Sequence, residues 1–252
     1  MKFYWFARQP YFSIKENLKD IEDSKFSGVL LPYSSGSPDY FIKIARTIDI
    51  KSKIKYLIAI RPHTISPQYL AALCKSLWEI SPNRLIINFI PGSISVDEQS
   101  IGGFVGEIDD FSPHDDRKKY LYRFVEIFKS LKFREMPEIA ISGIAKGTFD
   151  AVDSYADYNI VPYEPYKKLG GLPPISKPII ISMCPFLYNT QDEIDKINKE
   201  NIPQDILFVT KQEFIKILED LKSDGIENIL LFNYGEQDQM HKIFDFVKEY
   251  VK

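Results

Sequence analysis

Asn88 is an amide set inside the apolar run Leu85 to Ile90. A buried amide needs a partner to offset its lost hydration, and the edge of a heterocycle supplies one as well as a backbone group does. Gly92 and Ser93 follow directly and would let backbone N–H groups approach an anion. A second run, Ser142, Gly143, Ile144, Ala145, Lys146, Gly147 and Thr148, opens an amphipathic segment. A helix N-terminus there offers free N–H donors and a favourable dipole to a phosphate, or the run is an ordinary strand-to-helix turn. It is no P-loop, because the Walker spacing and its Lys-Ser/Thr pair are missing. Arg61 and His63 stand just after the apolar run Lys55 to Ile60. Arg61 there either meets a ligand or pairs with a carboxylate, and His63 faces either a ligand or solvent. Tyr234, after the last apolar run, either presents its hydroxyl or packs. Cys184 has no neighbouring histidine to make a thiolate and reads as a small core residue.

All these residues lie at the ends of short apolar runs. The runs are Phe3 to Ala7, Val29 to Pro32, Lys55 to Ile60, Leu85 to Ile90, Ile139 to Ser142, Tyr158 to Val161, Ile179 to Met183 and Asn228 to Phe232. They are mostly unalternating, as in parallel strands buried on both faces. Between them apolar residues recur at helical spacing: Ile14, Leu18 and Ile21; Phe41, Ile44, Ala45 and Ile48; Leu70, Leu73, Cys74 and Leu77. Leu121, Phe124, Val125, Phe128 and Leu131 continue the pattern, as do Phe214, Ile217, Leu218 and Leu221, then Met240, Ile243, Phe244 and Val247. Ser66 and Pro67 suit a helix cap and first turn. Eight strands, each followed by a helix or a helix-sized gap, predict an α/β chain folded as a (β/α)8 TIM barrel, with one domain over residues 1–252. An open doubly wound sheet is the rival, but no G-x-G-x-x-G follows a strand. Long connections, Gly92 to Pro113 and Pro162 to Lys177, follow the fourth and sixth strands, at the end where barrels place their chemistry.

A chain of 252 residues is within the range of one such barrel. Thirty-two Lys and Arg against 35 Asp and Glu give a net charge of −3, which argues against nucleic acid or an anionic membrane as main partner. The 44% hydrophobic and 27% charged content is that of a globular protein. Two cysteines build no disulfide framework, and three histidines show no metal-ligand spacing, so no metal centre is expected. No apolar stretch reaches the roughly 18 residues of a bilayer span. The short aromatic run near Met1 lacks a signal core and cleavage site, so the expected location is cytoplasmic.

Taken together, Gly28 to Pro32, Lys55 to Pro67 and Asn83 to Ser93 resemble the luciferase-like flavin monooxygenases of bacteria, most of all the alkanesulfonate monooxygenase branch. The likeness continues in order through His114 to Arg117, Ser142 and Gly143, Asp157, Glu164 and Pro165, and Gly225 to Tyr234. The resemblance implies a barrel that binds reduced FMN at its strand C-termini and activates dioxygen. It implies that Asn88 and the Arg61 to Thr64 loop, with His63 and Thr64, face the isoalloxazine. It places Gly92, Ser93, Lys118, Ser142, Gly143 and Ile144 at the phosphate. It further implies a separate NAD(P)H-dependent flavin reductase and a homodimer.

The chain departs from the family pattern. The insertion between the seventh and eighth strands, where the family carries a lid that excludes water, is shortened to Pro185 to Gln204 plus a helix. An arginine and a histidine that end the seventh strand in the sulfonate branch read Ser182 and Cys184. A family cysteine reads Ser37, one histidine falls near Pro10, and another is Glu236. Two hydroxyl residues of the phosphate turn read Ile144 and Ala145, a loss that Lys118 would offset as a point charge. Arg8 and Arg61 remain as cations near the mouth. The expected activity is an FMN-dependent oxygenation of a small organic substrate other than an alkanesulfonate, with Tyr234, Arg61 and Arg8 as catalytic residues. The alternatives are a catalytically degenerate flavin-binding protein, a deazaflavin-dependent oxidoreductase, or an unrelated barrel enzyme with a phosphate-bearing substrate.

Overall fold

The computed structural model describes residues 1–7, 14–33, 39–48, 52–91, 114–170, 176–197, 203, 205–234 and 237–251. Its strands are β1 (Lys2–Phe6), β2 (Gly28–Leu31), β3 (Lys55–Ile60), β4 (Leu85–Phe89), β5 (Glu138–Ser142), β6 (Tyr158–Pro162), β7 (Ile179–Tyr188), β8 (Ile206–Thr210) and β9 (Asn228–Leu231). Their order is β6-β5-β4-β3-β2-β1-β9-β7-β8, with β6 also paired to β7, and the fold is a (β/α)8 barrel. The chain divides into two compact units.

The unit of residues 30–159 and 175–177 contains β3, β4 and β5 with helices α2 (Tyr40–Thr47), α3 (Pro67–Ile80), α4 (His114–Ser130) and α5 (Lys146–Tyr155). The strands are parallel, with Ala59 opposite Asn88 and Asn88 opposite Ala140. Phe89 packs its ring against Phe124 and Phe128 of α4, at 5.6 and 5.9 Å between centroids. Successive residues of a strand point to opposite faces, so Asn88 looks away from that aromatic layer. Helix α3 begins as its sequence dictates: Ser66 accepts from the Tyr69 N–H at 3.2 Å, and Pro67 occupies the first turn. Leu131, assigned to the α4 stripe from its spacing, falls past the helix end and is exposed, because Lys132 turns the chain at φ 45°.

The unit of residues 1–29, 160–174 and 178–252 contains β1, β7, β8 and β9 with α1 (Ile14–Asp23), α6 (Tyr163–Lys168), α7 (Gln191–Asp195), α8 (Lys211–Ser223) and α9 (Gln237–Tyr250). Trp5 meets Phe26 and Phe244 edge to face and is 2% exposed. The sequence pattern misses β8 altogether. It also ends β7 at Met183, whereas the strand runs on to Tyr188. Residues 180–183 pair with β9, and residues 184–188 pair with β8. Pro185 sits where the strand changes neighbours, a place where a missing N–H is tolerated. A proline in an apolar run reads as a break, and all five residues of β8 are only half-buried, so neither stretch carries a strong strand pattern. The segment between β7 and β9 therefore holds α7, β8 and α8 rather than a remnant and one helix. Among the described residues, no helix is long and apolar enough to cross a membrane.

Candidate functional site

The carboxyl ends of β3, β4 and β5 bring the sequence-selected polar residues together. Ser142, last in β5, donates its hydroxyl to Asn88 Oδ1 at 2.9 Å. Asn88 is 3% exposed, and its amide nitrogen has no protein partner among the described residues. The one polar amide of β4 thus has its acceptor end held and its donor end available.

Beyond Ser142 the chain turns at Gly143 with φ 146°, a backbone state open to glycine. A Cβ there would stand 3.0 Å from Thr148 Oγ1. Helix α5 starts with Ala145 as cap and no capping side chain. The Thr148 N–H returns to Ala145 O at 2.8 Å, while Lys146 and Gly147, both exposed, have no side-chain cap for their N–H groups. Donors left this way are what an anion at a helix N-terminus uses. Tyr122 of α4 hydrogen-bonds Thr148 Oγ1 at 3.0 Å and its ring lies against Gly147. Lys118 is one turn earlier on the same face of α4, with Nζ paired to Asp115 at 2.9 Å. Arg117, 6% exposed, donates Nε to Pro91 O at 3.0 Å and ties α4 to the end of β4. Ile144 is partly exposed at the turn.

After β3, residues Pro62–Thr64 form a 3-10 turn that packs on α4. Arg61 and His63 are 4% and 1% exposed, so His63 is no solvent-facing loop residue. The Arg61 guanidinium lies over the Tyr33 ring, 4.6 Å from its centroid. Thr64 donates its hydroxyl to Arg61 O at 2.8 Å and closes the turn. The amide of Ile90 reaches back to Ile60 O at 3.0 Å, holding this turn beside the end of β4.

Asn88, Ser142, Gly143, Ile144 and Lys118 therefore surround one strand-to-helix junction, with Arg61, His63 and Thr64 on the adjacent strand end. Arg8, Gly92 and Ser93 lie outside the described residues, as do Pro10, Ser37 and Glu236. Tyr234 belongs to the other unit, where its hydroxyl donates to Asp205 at 2.6 Å. Sequence reasoning gave Tyr33 and Tyr122 no part in the site, since their types carry no signal at their spacing, and carried Thr148 only as the end of the run from Ser142. It also overlooked Asn159 of β6, which is fully buried with neither side-chain polar atom hydrogen-bonded among the described residues. Its signal was legible: it is a polar amide in an apolar strand, as Asn88 is.

No protein-family model matches the chain. Among solved structures, a riboflavin lyase with modified FMN and riboflavin superposes with a TM-score of 0.74 at 12% identity, covering 100% of this chain and 91% of that one. An EDTA monooxygenase from Chelativorans sp. BNC1 gives 0.71 at 10% identity, covering 100% and 93%. An F420-dependent secondary alcohol dehydrogenase in complex with an F420–acetone adduct gives 0.71 at 14% identity, covering 98% and 97%. Likeness at these identities is likeness of fold.

Proposed function

We propose that this chain, whose fold is that of the luciferase-like flavin monooxygenases, binds reduced FMN at the carboxyl ends of β3, β4 and β5 and oxygenates a small organic substrate other than an alkanesulfonate. The observation that carries the reading is the Asn88 amide, buried among apolar residues with its oxygen held by Ser142 and its nitrogen available. A donor fixed in that way matches a ring carbonyl of an isoalloxazine. The flavin would supply the electron transfer to dioxygen, and the protein supplies orientation and exclusion of water.

Each residue of the junction has a part in that reading. Gly143 brings backbone close, and the N–H groups at the start of α5 receive the phosphate, with Lys118 one turn from Tyr122 on α4 exchanging its Asp115 partner for it. Gly92 and Ser93 extend the phosphate contact by sequence position. His63 and Thr64 wall the ring, and Ile144, at the turn before α5, approaches the phosphate. Arg61, held flat by Tyr33, orients an anionic or carbonyl substrate, and Arg8 serves the same end. Tyr234 is the proposed hydrogen-bond donor toward substrate. The reading brings with it a separate NAD(P)H-dependent flavin reductase, a homodimer and a cytoplasmic location. One observation favours a second reading, a flavin-binding protein without turnover: the Tyr234 hydroxyl is already committed to Asp205.

The test is an anaerobic titration of the protein with reduced FMN, oxidised FMN and reduced F420, followed by mixing with air-saturated buffer. Saturable binding of reduced FMN, with a protein-dependent absorbance transient on mixing, is expected. Binding without a transient moves the assignment to the flavin-binding protein, preference for F420 moves it to a deazaflavin oxidoreductase, and no binding of any of the three removes it.

A further inference from the structure

A cavity of about 140 Å³ opens at the other end of the same strands, where β3, β4 and β5 begin. Lys55 and Glu138 are the first residues of β3 and β5, Trp78 comes from the last turn of α3, and Asn83 and Glu135 come from the loops before β4 and β5. Met136 and the buried Cys74 complete the apolar part of the wall. None of these residues takes part in the junction at the carboxyl ends, so this cavity is independent of the flavin reading.

The charges on the wall do not cancel. Lys55 Nζ is ion-paired with Glu138 Oε2, and the Tyr158 hydroxyl donates to Glu138 Oε1 at 3.2 Å, so both oxygens of that carboxylate are engaged. Burial raises the Cys74 thiol well above its ordinary range and keeps it neutral. Arg84, next to the wall in sequence, turns away to donate to Ile54 O and the Tyr56 hydroxyl. The one cation and two carboxylates of the lining therefore leave a single negative charge, and Glu135 carries it. Glu135 is half-buried and has no hydrogen-bond or ion-pair partner among the described residues. Trp78, also on the wall, is half-buried.

An unpaired carboxylate, an indole and a thioether around a confined space select for a cation with an apolar body, because the cation gains both the charge contact and the ring quadrupole. The volume sets the body size, since a cavity of roughly 150 Å³ holds one benzene ring. We propose that this amino-terminal cavity is a second ligand site, which binds a small one-ring primary amine with its ammonium on Glu135 and its ring against Trp78.

The test uses the full chain labelled with 15N and the two indole N–H resonances, those of Trp5 and Trp78. Titration with benzylamine is expected to shift the Trp78 resonance saturably and leave that of Trp5, which is buried in the other unit, in place. Benzyl alcohol and benzoate, the neutral and anionic counterparts, are expected to bind at least about tenfold more weakly, and Glu135→Gln is expected to weaken benzylamine about tenfold, the scale of one lost charged contact. Glu135 is half-exposed, and an unchanged Trp5 resonance in the variant confirms that it folds. A Trp78 resonance that does not saturate, equal binding of benzyl alcohol, or unchanged affinity in Glu135→Gln each overturns the assignment.

Discussion

Ser142 Oγ donates to Asn88 Oδ1 at 2.9 Å, and in this arrangement the Asn88 amide nitrogen has no partner among the described residues. Without that bond the carboxamide loses its one side-chain partner among the described residues. Ser142→Ala is expected to cost about 1 kcal/mol of stability, the net worth of one such bond. It is also expected to weaken reduced-FMN binding several-fold, while Asn88→Leu abolishes most of that binding. Urea melts and anaerobic titrations of the two variants check this. Equal affinity for flavin in all three proteins would remove Asn88 from the site.

Gly143 is the second fixed point. Its φ of 146° and the 3.0 Å approach of a Cβ to Thr148 Oγ1 both oppose any side chain. Gly143→Ala is expected to cost about 1–3 kcal/mol, the range for a strained backbone state. Thr148→Ser keeps the hydroxyl that meets Tyr122 and removes the methyl, which stands 3.2 Å from the added Cβ. In that background Gly143→Ala should recover the methyl's share of the penalty and keep the rest. A double-mutant cycle in urea measures the coupling.

The stacking of Arg61 on Tyr33 predicts a different pattern of loss. Tyr33→Phe keeps the ring face and with it the contact to the Arg61 guanidinium. Tyr33→Leu removes it and should cost about 0.5–2 kcal/mol, the range of cation–π contacts from exposed to desolvated. Arg61→Lys keeps the charge without the flat guanidinium and is expected to behave more like Tyr33→Leu than like wild type. Chemical denaturation of the three variants decides the order.

The barrel was legible because unalternating apolar runs and helical stripes are strong signals, and seven of the strands lie within a residue or so of where those runs place them. The eighth, β7, and the missed β8 show the limit. A half-buried strand at the end of the sheet and a proline inside its neighbour give the pattern nothing to register. At the candidate site, Asn88 was legible as an amide inside an apolar strand and Ser142 as a polar residue ending one. Asn159 offered the same signal and was passed over. Tyr33 and Tyr122 were not legible, since an aromatic after a strand or on a helix reads as packing until its partner is known, and only the fold sets Tyr33 under Arg61 and Tyr122 beside Thr148.

The start of α8 gives a prediction whose sign depends on pH. Thr210 and Glu213 form a reciprocal cap: the Thr210 N–H and hydroxyl donate to Glu213 Oε2 at 2.8 and 2.9 Å, and the Glu213 N–H returns to Thr210 Oγ1 at 3.3 Å. The backbone N–H, then the hydroxyl, hold the Glu213 carboxyl below its ordinary 4.5, because both bonds favour the charged form. A carboxyl lowered by folding stabilises the fold above its unfolded value, and that contribution is lost as the pH falls through the folded value. Glu213 is exposed, so solvent screens the effect and its size is a fraction of a full buried pair. Glu213→Gln is therefore expected to be slightly less stable than wild type at pH 7 and to converge on it below pH 4.5. Thr210→Ala removes the two bonds of the hydroxyl, leaves the residue-210 backbone N–H on Glu213, and should cost about 1 kcal/mol at pH 7. Part of that cost should persist in acid, because the Glu213 N–H loses its acceptor at any pH. Thermal melts of the three proteins at pH 7 and pH 3 separate the two outcomes, and a Glu213→Gln deficit that is undiminished at pH 3 would show that the charge plays no part.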